Sequence, residues 1–285
     1  MKKTFVLLMT AVLFQGCIQQ LAVRSMGGII DNGMAVMNEE SDIQLAHEAL
    51  GGNLKLIETL SRTDPGNPKF LILAAEGYQA YAFAFCEDDS VERARVVYLR
   101  GKEYGMRVLT KNAAFAAALN GTTEEFQASL QSFSKDDVPA IFWTAFNWGS
   151  YINITKTDVE AISEIGRVNA LVRRAAELDS SYYYGGAYLF FAAMDASVPK
   201  MLGGHPERAK VLFEKCMTMN GGKFLMTQLF YAKTAAVALQ DQQLFESLLK
   251  QVADASPDIL PEARLANMIA KEKARKLLAR ENELF

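Results

Sequence analysis

The thiol of Cys17 is the side chain whose setting points most directly to chemistry. It ends the string Phe14-Gln15-Gly16-Cys17, which follows Lys2 and Lys3 and the apolar run from Phe5 to Phe14, broken only by Thr10. Ten residues are too few to span a hydrocarbon core, which takes about 20 in a helix. The pattern is that of a cleaved export signal over residues 1–16, with the small Gly16 giving a peptidase access and the Cys17 thiol free to take a diacylglycerol. Phe14 and Gln15 depart from the commonest lipobox residues. Two or three acyl chains on Cys17 hold a protein at a membrane where one does so only marginally.

Other reactive side chains are sparse. His47 and His205 are the two histidines, one in a helical stretch and one just before Pro206, and they supply neither a zinc site nor a nucleophile–base pair. No metal and no cofactor is expected. The acidic pairs Asp88-Asp89 and Asp136-Asp137 precede apolar helical stretches and read as caps, not as a general acid and base. Gly203-Gly204 and Gly221-Gly222 read as turns. After Cys17, Cys86 and Cys216 lie in apolar stretches and read as buried thiols, while pairing between them stays open.

Aromatic residues are more informative. Phe142, Trp143, Phe146 and Trp148 fall within seven residues and so point several ways around one helix, more than one buried stripe requires. Tyr182, Tyr183, Tyr184 and Tyr188, with Phe190 and Phe191, form a second cluster. These two groups are the candidate surface for a protein partner or a small ligand, set against the plainer role of filling space between helices.

The elements that would position them are helices. Leu50, Leu54, Ile57 and Leu60 form one stripe, and Ala74, Tyr78, Tyr81 and Phe85 form the next, separated by the breaker Asp64-Pro65-Gly66-Asn67-Pro68. Start signals recur at Asp89-Ser90-Glu92, at Asp137 with Pro139, at the capping-box pair Thr157 and Glu160, and at Pro206 and Pro261. Alternation typical of strands is scarce. The chain reads as all-α, with eleven or twelve helices in stacked antiparallel hairpins.

Residues at offsets 0, 4 and 7 on a second helix mark a tetratricopeptide unit. Ala94, Tyr98 and Gly101; Val168, Val172 and Ala175; Ala209, Phe213 and Cys216; and Phe245, Leu249 and Val252 match those offsets, with irregular spacing between matches. The expected body is a single helical-repeat domain over 17–285, a degenerate tetratricopeptide-like α-solenoid of about four repeats plus a C-terminal capping helix. On that last helix Arg264, Lys271, Lys273, Arg275, Lys276 and Arg280 surround Leu265, Ile269 and Leu277 and read as a solvated outer face, with contact to anionic lipid as the alternative. The polar stretch Asn120 to Lys135 and the insertion Val198 to Gly204 read as protruding loops. Removing residues 1–16 takes away Lys2 and Lys3 and no acid, leaving 28 basic against 33 acidic residues and a formal charge of −5. That balance lacks the basic face of a nucleic-acid binder.

Several strings carry a family resemblance through their order and spacing. They are Val138-Pro139-Ala140-Ile141-Phe142-Trp143-Thr144-Ala145-Phe146-Asn147-Trp148-Gly149, then Leu178-Asp179 ahead of Tyr184-Gly185-Gly186-Ala187-Tyr188, then Leu202-Gly203-Gly204 before Pro206-Glu207-Arg208-Ala209, and finally Pro261-Glu262-Ala263-Arg264-Leu265-Ala266-Asn267 with Glu283-Leu284-Phe285. Over nearly the whole mature chain the sequence resembles TatT, the T component of tetratricopeptide-associated TRAP transporters. The resemblance implies a non-catalytic periplasmic lipoprotein whose relatives assemble as trimers and bind the periplasmic substrate-binding (P) subunit. That subunit hands organic acids or other small ligands to an ion-driven permease. A scaffold that docks the P subunit is the first expectation. A carrier that itself holds a hydrophobic or organic-acid ligand is the second, and an envelope enzyme the third. Replacing Cys17 with Ala is expected to abolish incorporation of labelled fatty acid and move the protein from the membrane to the soluble fraction. Unchanged labelling of that variant would refute the acylation site.

Overall fold

A computed structural model describes residues 20, 22–25, 27–155, 158–198 and 204–285. Cys17 with its signal segment, Thr157 of the expected capping box, and most of the Val198 to Gly204 insertion lie outside the described residues. The protein is all-α, with no strand among the described residues. From Gly27 onward these hold fourteen α-helices: α1 Gly27–Asn38, α2 Ile43–Thr63, α3 Pro68–Phe85, α4 Val91–Leu109, α5 Ala113–Ala118, α6 Thr123–Ser129, α7 Val138–Ile154, α8 Val159–Ser163, α9 Ile165–Leu178, α10 Tyr182–Ser197, α11 Pro206–Met219, α12 Met226–Tyr231, α13 Gln242–Asp254 and α14 Arg264–Leu278. A π-helical turn, Ala232–Ala236, continues α12.

Short polar residues start these helices by accepting from first-turn amides that have no intrahelical partner. Asp42 caps α2, Asn67 caps α3 with Pro68 in the first turn, Ser90 caps α4 and Asp241 caps α13. Asp158 caps α8 by accepting from Ala161 N. Two expectations fail locally. The Asp137 carboxylate does not cap α7; it closes the preceding 3-10 turn by accepting from Ser134 N at 2.8 Å, leaving Pro139 to lead the helix in. Nor does Asn120 to Lys135 protrude. Thr122 and Glu125 form a capping box, α6 follows, and Phe126, Leu130 and Phe133 are buried, because a polar-looking stretch with three apolar side chains on one face still packs. Arg167 and Arg174 on α9 fasten it by donating to the Leu119 and Phe133 carbonyls at 2.6 and 2.8 Å. The short helices α5, α6 and α8 account for the excess over eleven or twelve.

Helices pack mainly on their chain neighbours: α2 on α3, α3 on α4, α4 on α7, α7 on α9, α10 on α11, and α13 on both the α12 segment and α14. The stripe Leu50, Leu54, Ile57 and Leu60 is buried, as are all twelve residues of the four 0-4-7 triples. The α4–α7 contact is the tightest. A Cβ on Gly105 would lie 2.0 Å from Thr144 Oγ1, and one on Gly101 would lie 2.1 Å from Asn147 Oδ1. Thr144 cannot yield easily, since it is buried, β-branched and donates its hydroxyl to Ala140 O at 2.6 Å.

The last helix returns to the first ones. α14 packs on α1 and α2, Arg264 donates to Glu39 O at 2.8 Å, and Lys273 donates to Asp88 at 2.8 Å. Asp88 is thus not a cap but the anchor of the C-terminal helix. The basic residues of that helix are engaged individually: Lys271 holds the Ala253 and Ala255 carbonyls, Arg275 pairs with Glu272, Arg280 with Glu283, and Lys276 reaches Asp88 at 3.7 Å. Their role is fastening, which a list of charges along one helix does not reveal.

The glycines give a paired stability test. Gly105→Ala is expected to lower the denaturant midpoint by an amount equivalent to about 1–3 kcal/mol through overpacking. Gly52→Ala, in the interior of α2 with nothing within 4 Å of the added Cβ, is expected to raise it by about 0.5–1 kcal/mol. Equal shifts in urea melts of the two variants would contradict the close approach of α4 and α7.

Candidate functional site: a central apolar cavity

With α14 packed on α1 and α2, the helices line a cavity of about 430 Å³ that opens to solvent, a size suited to a small-molecule ligand. Its wall draws on α1 (Met34, Met37), α2 (Leu50), α3 (Glu76, Gln79, Phe83), α7 (Trp143, Phe146) and α10 (Tyr183, Leu189, Phe190). Phe224, Phe230 and Lys233 around α12, with Leu265 and Ile269 of α14, complete it.

Local sequence explains how these side chains reach one space. Gly77 lets Leu54 pack where its own Cβ would be, 2.8 Å away, and Gly149 and Gly186 do the same for the Phe190 and Phe142 rings, each 2.5 Å from an added Cβ. At the start of α10 three successive residues are left-handed, Tyr183 at φ 48°, Tyr184 at φ 60° and Gly185 at φ 81°. A tyrosine pays about 1 kcal/mol or more for that backbone, and such strain persists where the surroundings fix it. The surroundings here are rings: Tyr183 meets Trp143 edge-on at 4.6 Å, and Tyr184 stacks on Phe224 at 4.5 Å. The π-helical turn after α12 sets Lys233 and Thr234 in the wall, a local device often found at functional sites.

Glu76 is the unusual group. It sits in the wall without a hydrogen-bonding or charged partner among the described residues, and burial pushes its carboxyl up to about 7. Burial, and then the Glu76 charge, raise the phenols of Tyr182 and Tyr183. Lys233 is committed to Glu87, at 3.3 Å. Two further polar atoms are buried without a partner, Gln79 Oε1 and Trp143 Nε1, although the Gln79 amide nitrogen donates to Ser150 Oγ at 3.1 Å. An apolar chamber with a few unfilled polar atoms is built to bind. His47 is stacked on Phe85 at 4.4 Å, and no group of His, Cys, Asp or Glu that could hold a metal occurs among the described residues.

The two aromatic clusters part company. Trp143, Phe146 and Tyr183 line the cavity. Phe142 and Trp148 lie in the core at 1% and 2% exposure; Trp148 donates its indole N–H to Glu164 at 2.7 Å and carries Lys102 Nζ 3.7 Å over its ring. Tyr182 packs edge-on against Phe142 at 5.0 Å, and Tyr188 accepts from Lys215 Nζ at 3.0 Å. Cys86 and Cys216 are separate buried free thiols. Reading the aromatics missed Glu76, Gln79 and Lys233. For Glu76 the signal was present, since it is the sole charged residue between Phe70 and Cys86.

The chain is 23% identical over 266 residues to an uncharacterized protein of Treponema pallidum (strain Nichols), an alignment that covers 88% of this chain and 82% of that protein. No helix among the described residues is long and apolar enough to cross a membrane. The family model of the TRAP transporter T-component matches residues 39–285, and the chain therefore belongs to the TRAP transporter T-component family.

Proposed function

We propose that this chain is a non-catalytic periplasmic lipoprotein, anchored through Cys17, that docks the substrate-binding (P) subunit of a TRAP transporter and assists uptake of a small molecule. The observation that carries this reading is the family match over residues 39–285. The four buried 0-4-7 triples and the neighbour-on-neighbour packing support a degenerate tetratricopeptide-like stack as the docking body, over one domain from 17 to 285. Assembly as a homotrimer follows from the same resemblance. Tethering makes a weak docking contact sufficient, because a short linker holds partners at effective concentrations of about millimolar.

The carrier reading gains from the cavity, and the two are compatible: a T component that holds a ligand could hand it to the P subunit. Of the residues first singled out, Trp143, Phe146 and Tyr183 are then ligand contacts. Tyr182, Tyr184 and Tyr188 are half-buried and keep a place as candidates for partner contact, while Phe142 and Trp148 support them from the core.

Sedimentation of the purified protein, alone and with a TRAP substrate-binding subunit from the same organism, tests the docking reading. A species of three copies and a heavier complex on adding the P subunit are expected. No complex with each protein raised to about 1 mM, the effective concentration a short tether supplies, would overturn docking.

A further inference from the structure

The cavity's charge is unbalanced. Among the described residues lining it, Lys233 is the sole cation and Glu87 already neutralises it. Glu76 has no counterpart, and Glu87 lies eleven residues further along the chain, about 16 Å at helical rise. Among the described residues the Glu76 carboxylate accepts no hydrogen bond, Gln79 Oε1 is buried without a donor, and the Trp143 indole N–H lies beside the Tyr182 phenol. A ligand carboxylate entering here would meet a second carboxylate with no free Lys or Arg among the described residues to offset it.

The surroundings of Glu76 are aromatic. Glu76, Trp143, Phe146 and Tyr183 all line the cavity, Tyr183 is near enough for the Glu76 charge to raise its phenol, and the Trp143 ring lies 4.6 Å from Tyr183 and 6.3 Å from Phe146. Ring faces attract cations, most strongly where water is excluded. Beyond this end the wall is apolar, with Leu189, Phe190 and Ile269.

We propose that the cavity binds organic cations, amphiphiles with an ammonium head and an apolar body, with Glu76 as the counter-ion inside an aromatic cage of Trp143, Phe146 and Tyr183. This rests on the carrier reading above and names its ligand class. The head sits against Glu76, and the apolar body runs toward Leu189 and Ile269.

The arrangement makes binding depend on pH. The titratable groups that share the cavity with Glu76 are Lys233 and Glu87, paired with each other, and Tyr183 of α10, with Tyr182 and Tyr184 beside it. α1, α2, α7 and α14 present none to it. The phenols are pushed up and stay neutral. Glu76, raised to about 7 by burial, is protonated below that pH and charged above it. A cation of fixed charge therefore binds more tightly as pH rises through 7.

The test is calorimetric titration of the purified protein with octyltrimethylammonium, nonanoate and 1-nonanol at pH 5.5 and pH 8. Octyltrimethylammonium is expected to bind about tenfold or more tightly at pH 8 than at pH 5.5, and to exceed nonanoate by a similar factor at pH 8. Glu76→Gln is expected to remove that pH dependence and weaken the ammonium about tenfold while leaving nonanol affinity within about twofold, which also certifies the variant's fold. Nonanoate matching the ammonium at pH 8, or Glu76→Gln keeping full ammonium affinity, would overturn the inference while nonanol binding left carriage standing. Failure of all three probes to bind would sink inference and carriage together, and leaves docking of the P subunit to its own measurement.

Discussion

The buried ammonium of Lys273 holds the fold in the form that matters. It is 8% exposed, donates to Asp88 at 2.8 Å and lies 4.6 Å over the Phe83 ring. Burial lowers its pKa, and the bond to Asp88 works against that; burial works to raise Asp88, and Lys273, with the charges of Lys233 and Lys276, overrides it and holds the carboxyl below its ordinary value. Such a pair adds little net stability over an apolar replacement, yet removing Asp88 strands the buried Lys273 ammonium, whereas Asp88 itself is exposed and would stay hydrated without Lys273. Its consequence is geometric. A row of helices that pack on their neighbours would present an open groove; pinned at Asp88, α14 lies against α1 and α2 and turns the groove into a chamber.

What fills the chamber's wall follows from where the helices come closest. Gly101 and Gly105 draw α4 onto α7, and Gly149 and Gly186 let the Phe190 and Phe142 rings into the gap between α7 and α10. Close approach on one side of α7 leaves room on the other, where Trp143 and Phe146 face the cavity. The left-handed turn at Tyr183 and Tyr184 serves the same end, because a regular first turn of α10 would direct those rings elsewhere around the helix. Strain is thus concentrated at the wall and not in the helices that support it.

Much of this was legible in sequence, and the limits have physical causes. Local rules found the α2 stripe, the breaker before α3, the cap at Ser90, and the residues of all four triples, since each depends on neighbours within a turn or two. Closure was not legible, because Lys273 and Asp88 are 185 positions apart and nothing in a helical period says which distant carboxylate a lysine will meet. The aromatic clusters were visible as clusters, but periodicity cannot tell the inside of a chamber from an outer groove. Phe142 shows the difficulty: one residue's offset separates it, in the core, from Trp143 in the cavity wall. Glu76 stood out as a lone acid in an apolar run, a signal that reading for aromatics and acidic pairs passed over.

That lone acid argues against a purely structural cavity. Its folded-state pKa of about 7 lies above the ordinary glutamate value of 4.5, so the unfolded chain ionises first and stability falls as pH rises from 4.5 to 7 and stays lower above it. At about 1.4 kcal/mol per pH unit, the cost is on the order of 3 kcal/mol at neutral pH and above, a sizeable part of a marginal total. Glutamine or leucine at this place in α3 would keep the helix and avoid the cost. An ionisable group that weakens the folded protein, faces a chamber and is walled by rings held under strain is best understood through what it binds.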